Sequence, residues 1–228
     1  MRRCTDAPDL THTAMIFDLT TAQLGGFLLA ALLITLAPGP DNLGVLSLGV
    51  SRGRRAGIGF GLGCALGCFT HTLWATLGIS AILAASATAF TLLKLAGAAY
   101  LCWLGWQALK SSGAKFQPAA AQVADTTAFA VYLRRGFIAN AINPKVALFF
   151  LAFLPQFVTA ASPHAIGQSA LLGLVFALQT TLVFGLLGYF AGMIGGWLQR
   201  RASFGRRLDQ ATGVLFIGLG LRLAAESR

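Results

Sequence analysis

Charged residues are scarce in this sequence. They make up 11% of its 228 residues, whereas a soluble domain normally carries about 25%. Hydrophobic residues make up 56%, and the mean hydropathy is +0.72. These values exclude an ordinary water-soluble globular protein and indicate a chain that lies in a membrane.

The motifs of several enzyme classes are also missing. No stretch has the form G-x-x-x-x-G-K-[ST], so the chain does not hydrolyse ATP by itself. Neither a nucleophile elbow nor a zinc-protease helix motif is present. We therefore expect no enzyme and no cofactor, and any uphill transport must use an ion gradient.

Cysteines are few as well, with four in the chain. Cys64, Cys68 and His71 share one helix face, but three ligands from one straight helix rarely enclose zinc. Residues at i and i+4 have Cβ atoms about 5–6 Å apart, beyond the roughly 3.8 Å of a disulfide. No metal site is expected. A thiol-disulfide electron carrier and a metal-cation exporter are the alternative functions.

The sequence does contain long apolar segments. A helix needs about 20 apolar residues to cross a bilayer, and only helices or closed barrels satisfy the backbone in lipid. These runs are too continuous for barrel strands. Six segments predict an all-α polytopic membrane protein with six transmembrane helices: 22–50, 57–79, 88–109, 136–160, 169–197 and 208–225.

The net charge of +10 is explained by topology rather than by nucleic acid. Three alternate connections carry eleven Lys and Arg residues, and the two opposite connections, 80–87 and 161–168, carry none. Because basic loops stay in the cytoplasm, both termini are predicted on the non-cytoplasmic side of a bacterial inner membrane. The expected partners are the lipid bilayer and a small-molecule substrate, with no nucleic acid.

The long connection 110–135 divides the chain into two groups of three spans. Because three is odd, the second half, 136–228, enters the membrane from the side opposite to the first half, 22–109. The two halves therefore have inverted topology, joined by a cytoplasmic linker. Residues 1–21 are predicted to be a disordered N-terminal extension, and Met15 is a second possible start.

Two of the predicted spans are broken. Span one contains Pro38-Gly39-Pro40-Asp41-Asn42 and span four contains Asn140-Ala141-Ile142-Asn143-Pro144-Lys145. Proline removes an amide donor and disfavours helix at the preceding residue, so both helices must open. Interrupted segments at corresponding places in two halves indicate the binding site of a transporter.

The two breaks also carry the deepest charges. By helical rise, Asp41 and Lys145 each lie about 14 Å from the cytoplasmic edge, near the middle of the membrane. A pair between them would reduce the cost of burying both charges. We predict a substrate or proton-coupling site here, with Asp41 as the leading proton carrier. A static ion pair that holds the halves together is the alternative.

Neighbouring polar residues extend this candidate site. Asn42, Asn140 and Asn143 can satisfy freed backbone groups or contact a zwitterion. His71 ends a stripe of glycines at 59, 63 and 67 on span two, which predicts close helix packing. His71 itself is either a packing residue or a participant in proton coupling.

Three further polar residues, Gln179, Thr180 and Thr181, lie about ten residues into span five. They either line the same cavity or bond to a neighbouring helix.

These motifs resemble the LysE/RhtB family of amino-acid exporters. The resemblance rests on Pro38-Gly39-Pro40-Asp41, on Asn143-Pro144-Lys145 and on the glycine and histidine spacing of span two, and it covers nearly everything from Met15 to the last span. It implies a six-span inner-membrane protein that exports amino acids or related metabolites, coupled to the proton gradient and present as a homodimer.

Overall fold

The computed structural model describes residues 19–85, 87–111, 127–159, 162–200 and 202–225. Within these ranges every regular element is a helix, which confirms the all-α prediction. The helices are α1 (Thr21–Leu36), α2 (Pro40–Arg52), α3 (Arg54–Ala85), α4 (Ala87–Lys110), α5 (Phe129–Ala141), α6 (Pro144–Leu148), α7 (Ala165–Tyr189), α8 (Ala191–Arg200) and α9 (Ala202–Ala225). Helix α6 continues as a π-helical turn, Phe149–Phe153, and a 3-10 turn, Leu154–Phe157.

Three stretches are long and apolar enough to cross a membrane, and they lie in α3, α7 and α9. Two bent pairs raise the number of candidate spans to five: α1 with α2, bent by 54°, and α5 with the segment that starts at Pro144, bent by 49°. Both predicted helix breaks are therefore present. Helix α4 covers the remaining predicted span, and the six-helix inverted arrangement stays a prediction.

At two places the helices differ from the predicted segments. Helix α5 begins at Phe129, so Arg134 and Arg135 lie within a helix rather than in a linker. Both are exposed, and hydropathy marks only the lipid-covered part of a helix, not its charged end. The predicted span 169–197 is interrupted at Phe190, whose ψ of 8° ends α7, in a glycine-rich stretch of low helix propensity. The predicted N-terminal extension lies almost entirely outside the described residues.

Glycines allow the central helices to approach closely. A Cβ atom on Gly63 would overlap the Leu133 carbonyl of α5, and one on Gly67 would lie 2.8 Å from Cβ of Asn140. In return, a Cβ on Gly136 would overlap the Phe60 carbonyl of α3. The predicted role of the glycine stripe in helix packing is confirmed. This contact brings the end of α5, where the second break lies, against the middle of α3.

An aromatic cluster packs on the other side of the second break. Phe149, Phe150 and Phe153 follow Lys145 within two turns and are 0–3% exposed. Phe149 contacts Phe27 of α1, and both Phe149 and Phe150 contact Phe176 of α7, with ring centroids 4.9 to 5.9 Å apart. Phe153 stacks on Phe149. The cluster fixes the segment after the break against both helices, which positions Lys145 beside the end of α1.

Candidate functional site

The first helix break leaves specific carbonyl oxygens without donors. In an α-helix the carbonyl of residue i accepts from the amide of residue i+4, and Pro38 has no amide hydrogen. The carbonyl of Ile34 therefore loses its partner when α1 ends at Leu36. Ile34 is 1% exposed, so water does not replace the missing hydrogen bond, and a buried unpaired carbonyl is costly.

Lys145 supplies the missing donor from the second break. Its Nζ donates hydrogen bonds to the carbonyl oxygens of Ile34 (3.1 Å) and Ala37 (2.9 Å). The cation thus lies at the C-terminal end of α1, where the helix dipole stabilises positive charge. A Cβ atom on Gly39 would lie 2.7 Å from this Nζ. The glycine is required because the lysine passes directly over its backbone.

Two amides complete the closure of the first break. Asn42, in the first turn of α2, donates from Nδ2 to the Thr35 carbonyl at 2.8 Å. Gln179 of α7 donates from Nε2 to Thr35 Oγ1 at 2.7 Å and to Thr180 Oγ1 at 3.0 Å. The end of α1 is therefore tied to α2, to α7 and to the lysine of the second break.

The second helix break is closed by a parallel arrangement. Pro144 cannot donate to the carbonyl of Asn140, which lies four residues earlier. That oxygen instead accepts from the Asn143 amide at 2.8 Å and contacts His71 Nε2 at 2.8 Å. Because a carbonyl only accepts, Nε2 of His71 carries the hydrogen. Asn143 Oδ1 caps the new helix by accepting from the Lys145 amide at 3.0 Å.

Asp41 is the acidic residue of this region and is 2% exposed. It lies in the first turn of α2, where the helix dipole favours negative charge. Its Oδ2 accepts from Asn140 Nδ2 at 2.8 Å. Asp41, at the first break, thus reaches the end of α5, and Lys145, at the second break, reaches the end of α1.

The direct Asp41–Lys145 pair expected from the sequence is not formed. Both residues line the same cavity, but Lys145 Nζ bonds to backbone carbonyls and Asp41 bonds to Asn140. The physical reason is that proline frees carbonyls at the first break, and these compete for the ammonium. The static ion pair considered as an alternative is therefore not what joins the two breaks.

The shared cavity has a volume of about 10 Å³, room for about one water molecule. Besides Asp41 and Lys145 it is lined by Ile34, Thr35, Asn140, Val146, Phe176, Thr180 and Phe184. An amino acid does not fit in this volume. The conformation is therefore closed around the two breaks.

Buried polar atoms without hydrogen-bond partners surround these breaks. Among the described residues the five such side-chain atoms are Asp41 Oδ1, Asn42 Oδ1, Asn140 Oδ1, Asn143 Nδ2 and Gln179 Oε1. Buried polar groups are ordinarily paired. Five unpaired atoms on residues of one region indicate a site that a ligand or water completes.

The structure brings the predicted site residues together at the facing breaks. Asp41, Asn42, Asn140, Asn143 and Lys145 are all buried there, and His71 contacts the second break from α3. Their roles in binding or proton coupling stay predictions. The sequence reasoning missed Thr35. Of the polar residues noted in span five, Thr180 lines the cavity and Gln179 bonds to Thr35. Thr35 gives no signal beyond its position before Pro38.

The three cysteines that the structure describes do not form a second site. Cys68 Sγ donates to the Cys64 carbonyl at 3.3 Å, and the thiols of Cys64, Cys68 and Cys102 are free. Within the described parts of the chain, no group of three His, Cys, Asp or Glu residues is placed to hold a metal ion. No observation favours the thiol-disulfide carrier or the metal-cation exporter.

The amino-acid sequence of the chain is similar to that of several known proteins. A family model described as LysE type translocator matches residues 32–227. An uncharacterized membrane protein of Vibrio cholerae is 34% identical, over 87% of this chain and 94% of that protein. No solved structure is significantly similar to the chain.

Two further relatives have names that state a function. A homoserine/homoserine lactone efflux protein of Salmonella typhimurium is 29% identical, over 87% of this chain and 94% of its own. A leucine efflux protein of Enterobacter sp. is 26% identical, over 87% of this chain and 93% of its own. The chain is therefore similar to efflux proteins over almost their whole length.

Proposed function

The chain belongs to the family of LysE type translocators, and we propose that it is a secondary transporter that exports amino acids or closely related small metabolites from the cytoplasm. The observation that carries the proposal is the pair of facing helix breaks, with a buried Asp41, a buried Lys145 and unpaired polar atoms around them. Broken helices at the middle of the membrane form the substrate sites of many secondary transporters. The efflux relatives support amino acids as the substrate class.

The architecture that we propose has six spans in two inverted halves of three. In addition to α3, α7, α9 and the two bent pairs, α4 forms the third span. The distribution of basic residues orients both termini away from the cytoplasm, with the protein in the inner membrane. A homodimer, which the family resemblance implies, is part of the proposal and is tested by the mass of the purified protein in detergent.

Transport requires the closed cavity to open to one side at a time. We propose that the α1–α2 pair and the α5–α6 pair separate at their breaks, which exposes Asp41, Asn140 and the carbonyls at the end of α1. The hydrogen bonds of Lys145 and Asn140 between the two breaks re-form when the site closes. In the loaded state Lys145 again bonds to the end of α1, and substrate atoms bond to acceptors that are unpaired in the closed structure, so binding and closure are coupled.

The ion gradient that drives export is proposed to be the proton gradient. Asp41 is the candidate carrier, because it is the buried carboxylate at the breaks and its Oδ1 has no partner. A carboxylate can carry a proton across if it faces the two sides in turn. A protonophore should then abolish export from energised vesicles, whereas removal of ATP from vesicles with an imposed pH gradient should not.

The main test is an efflux assay of Asp41→Asn. Cells that overproduce the wild-type chain are screened for resistance to toxic amino-acid analogues, and export of the corresponding amino acid is then measured. Asp41→Asn keeps the size of the side chain and can still accept from Asn140, but it cannot ionise. We expect export to fall to the level of cells without the protein, at a normal amount of protein in the membrane fraction.

Asp209→Asn is the matched control. Asp209 is also buried, but it accepts from Ser111 Oγ at 2.6 Å, in a contact between the end of α4 and α9. This variant should export normally, because an asparagine oxygen accepts the same hydrogen bond. Normal export by Asp41→Asn would overturn the proposed centre, and the absence of any amino-acid phenotype in the screen would overturn the substrate class.

A further inference from the structure

The unpaired atoms at the breaks are mainly acceptors. Four of the five are oxygens, on Asp41, Asn42, Asn140 and Gln179, and the one donor is Asn143 Nδ2. Asp41, Asn42 and Asn140 are 1–8% exposed, so bulk water does not satisfy them. Of these residues, Asp41 and Asn140 line the cavity, and each leaves an acceptor unpaired. A ligand that completes the site there must therefore present hydrogen-bond donors.

The amide orientations are fixed by chemistry. Asn42 faces the Thr35 carbonyl, which only accepts, so its donating Nδ2 must lie on that side. Asn140 faces the carboxylate of Asp41, which also accepts when ionised. Rotating either amide would bring two oxygens together. While Asp41 is ionised, the oxygens of both amides are thus the atoms left unpaired, and the acceptor character at Asn42 and Asn140 does not depend on an arbitrary assignment.

The cation of the region is already engaged by the protein. Lys145 donates to the Ile34 and Ala37 carbonyls, in place of a donor that Pro38 lacks. Releasing it to bind a carboxylate would leave two buried carbonyls unpaired, which is costly. Asp41 Oδ1, in contrast, has no partner to lose. The negative charge is available to a ligand, whereas the positive charge is not.

We propose that Asp41 Oδ1 and Asn140 Oδ1, which belong to two residues lining the cavity, form a subsite for the ammonium group of the substrate, and that the substrate carboxylate has no charged partner there. A primary ammonium presents three N–H donors, which match the excess of acceptors. This inference rests on the proposed export function and deepens it. It makes the substrate class primary amines, in which the free amino group is required and the free carboxylate is dispensable.

The inference is tested with three forms of one amino acid as competitors of export. In vesicles that contain the wild-type protein, we compare the exported amino acid, its primary amide and its N-acetyl derivative. The amide keeps the ammonium and lacks the carboxylate, and the N-acetyl form has the reverse. We expect the amide to compete within about threefold of the parent and the N-acetyl form at least about tenfold more weakly, because a charge-assisted hydrogen bond is lost.

Two variants show whether the discrimination depends on this subsite. For Asp41→Asn, binding is measured by thermal stabilisation of the purified protein. The amide and the N-acetyl form should then bind about equally well. Thr181→Val is the matched control. Thr181 lies next to Thr180 but bonds to the Ala177 carbonyl of its own helix, and this variant should keep the wild-type preference.

The outcomes separate the subsite from the proposed function. If amino acids are exported but the N-acetyl form competes as well as the amide, the ammonium subsite is wrong and the exporter stands. If no amino acid is exported, the exporter is wrong, and the subsite is tested alone by stabilisation of the purified protein with leucinamide and with N-acetylleucine. Equal stabilisation by both compounds, or stabilisation by neither, would overturn the subsite.

Discussion

At each helix break a side chain from another helix contacts the carbonyl that proline leaves without a donor, but the two side chains differ in kind. At the first break, Pro38 frees the Ile34 carbonyl, and the ammonium of Lys145 replaces the missing amide. At the second, Pro144 frees the Asn140 carbonyl, and the imidazole of His71 contacts it. The first break also receives a second bond from the same cation, at Ala37, whereas the second obtains its other bond from its own backbone amide at Asn143.

This difference shows which break depends on the other. Lys145 lies in the first turn of α6, where a helix dipole disfavours a cation, and it is stabilised at the end of α1 instead. The first break is therefore closed by the ammonium of Lys145, a residue of the second break. The second break retains a local backbone bond when a distant donor is lost. We expect substitutions at the first break to have the larger effects on folding and export.

The largest effect is expected for Lys145→Met. Methionine fills a similar volume but leaves the carbonyls of Ile34 and Ala37 without donors, at a cost of about 1–3 kcal/mol each. It also leaves the charge of Asp41 uncompensated in the membrane. Export should be lost, and the unfolding midpoint of the purified protein in detergent should fall by several degrees.

Lys110→Met is the control for this substitution. Lys110 lies over the Trp106 ring, 4.6 Å from its centroid, at the exposed end of α4, so its loss should leave export near wild type. Lys145→Arg should recover part of the stability, because a guanidinium can also donate to two carbonyls. If Lys145→Met is as stable as Lys110→Met, the lysine does not hold the first break.

A smaller effect is expected for Gly39→Ala. A Cβ atom there would lie 2.7 Å from Nζ and 3.3 Å from Cε of Lys145, so the lysine must shift and its two hydrogen bonds must lengthen. We expect a loss of about 1–3 kcal/mol, typical of overpacking in a buried site. The backbone at this residue is extended, so the effect would come from the contact and not from backbone strain.

The matched control is Gly25→Ala in α1. No atom lies within 4 Å of a Cβ at this position, and alanine favours helix over glycine by about 1 kcal/mol. Gly25→Ala should therefore be neutral or slightly stabilising in the same detergent unfolding assay. A Gly39→Ala protein that unfolds at the wild-type midpoint would show that the lysine can move without cost.

Several of these features were predictable from local chemistry. Proline removes an amide hydrogen wherever it occurs, so Pro38 and Pro144 predicted both breaks. The membrane depth of Asp41 and Lys145, which comes from helical rise, stays a prediction, whereas both side chains are observed to be buried. The glycine stripe on α3 predicted close packing, because the pattern of small residues at every fourth position is visible in the sequence.

The partners of the freed carbonyls were not predictable in this way. The sequence indicates which carbonyl loses its donor, but not which distant side chain will replace it. Opposite charges at similar predicted depth favoured an Asp41–Lys145 pair. That prediction did not consider that two buried carbonyls at the first break need a hydrogen-bond donor, which Lys145 supplies. Thr35 was missed for the same reason, since its contact with Gln179 joins residues 144 positions apart.

The smallest effect is expected for His71→Leu, and it separates the two breaks most directly. The Asn140 carbonyl keeps its bond from Asn143 when the imidazole is lost, so the expected cost is about 1 kcal/mol. Pro144→Ala restores an amide hydrogen four residues after Asn140, which can replace the imidazole as donor. In a double-mutant cycle, His71→Leu should therefore cost less in the Pro144→Ala background, with a coupling energy of at least about 0.5 kcal/mol. The measurement is detergent unfolding of the four proteins. Equal costs in the two backgrounds would mean that His71 does not replace the amide hydrogen that Pro144 lacks. The two breaks would then resemble each other only in their charged residues.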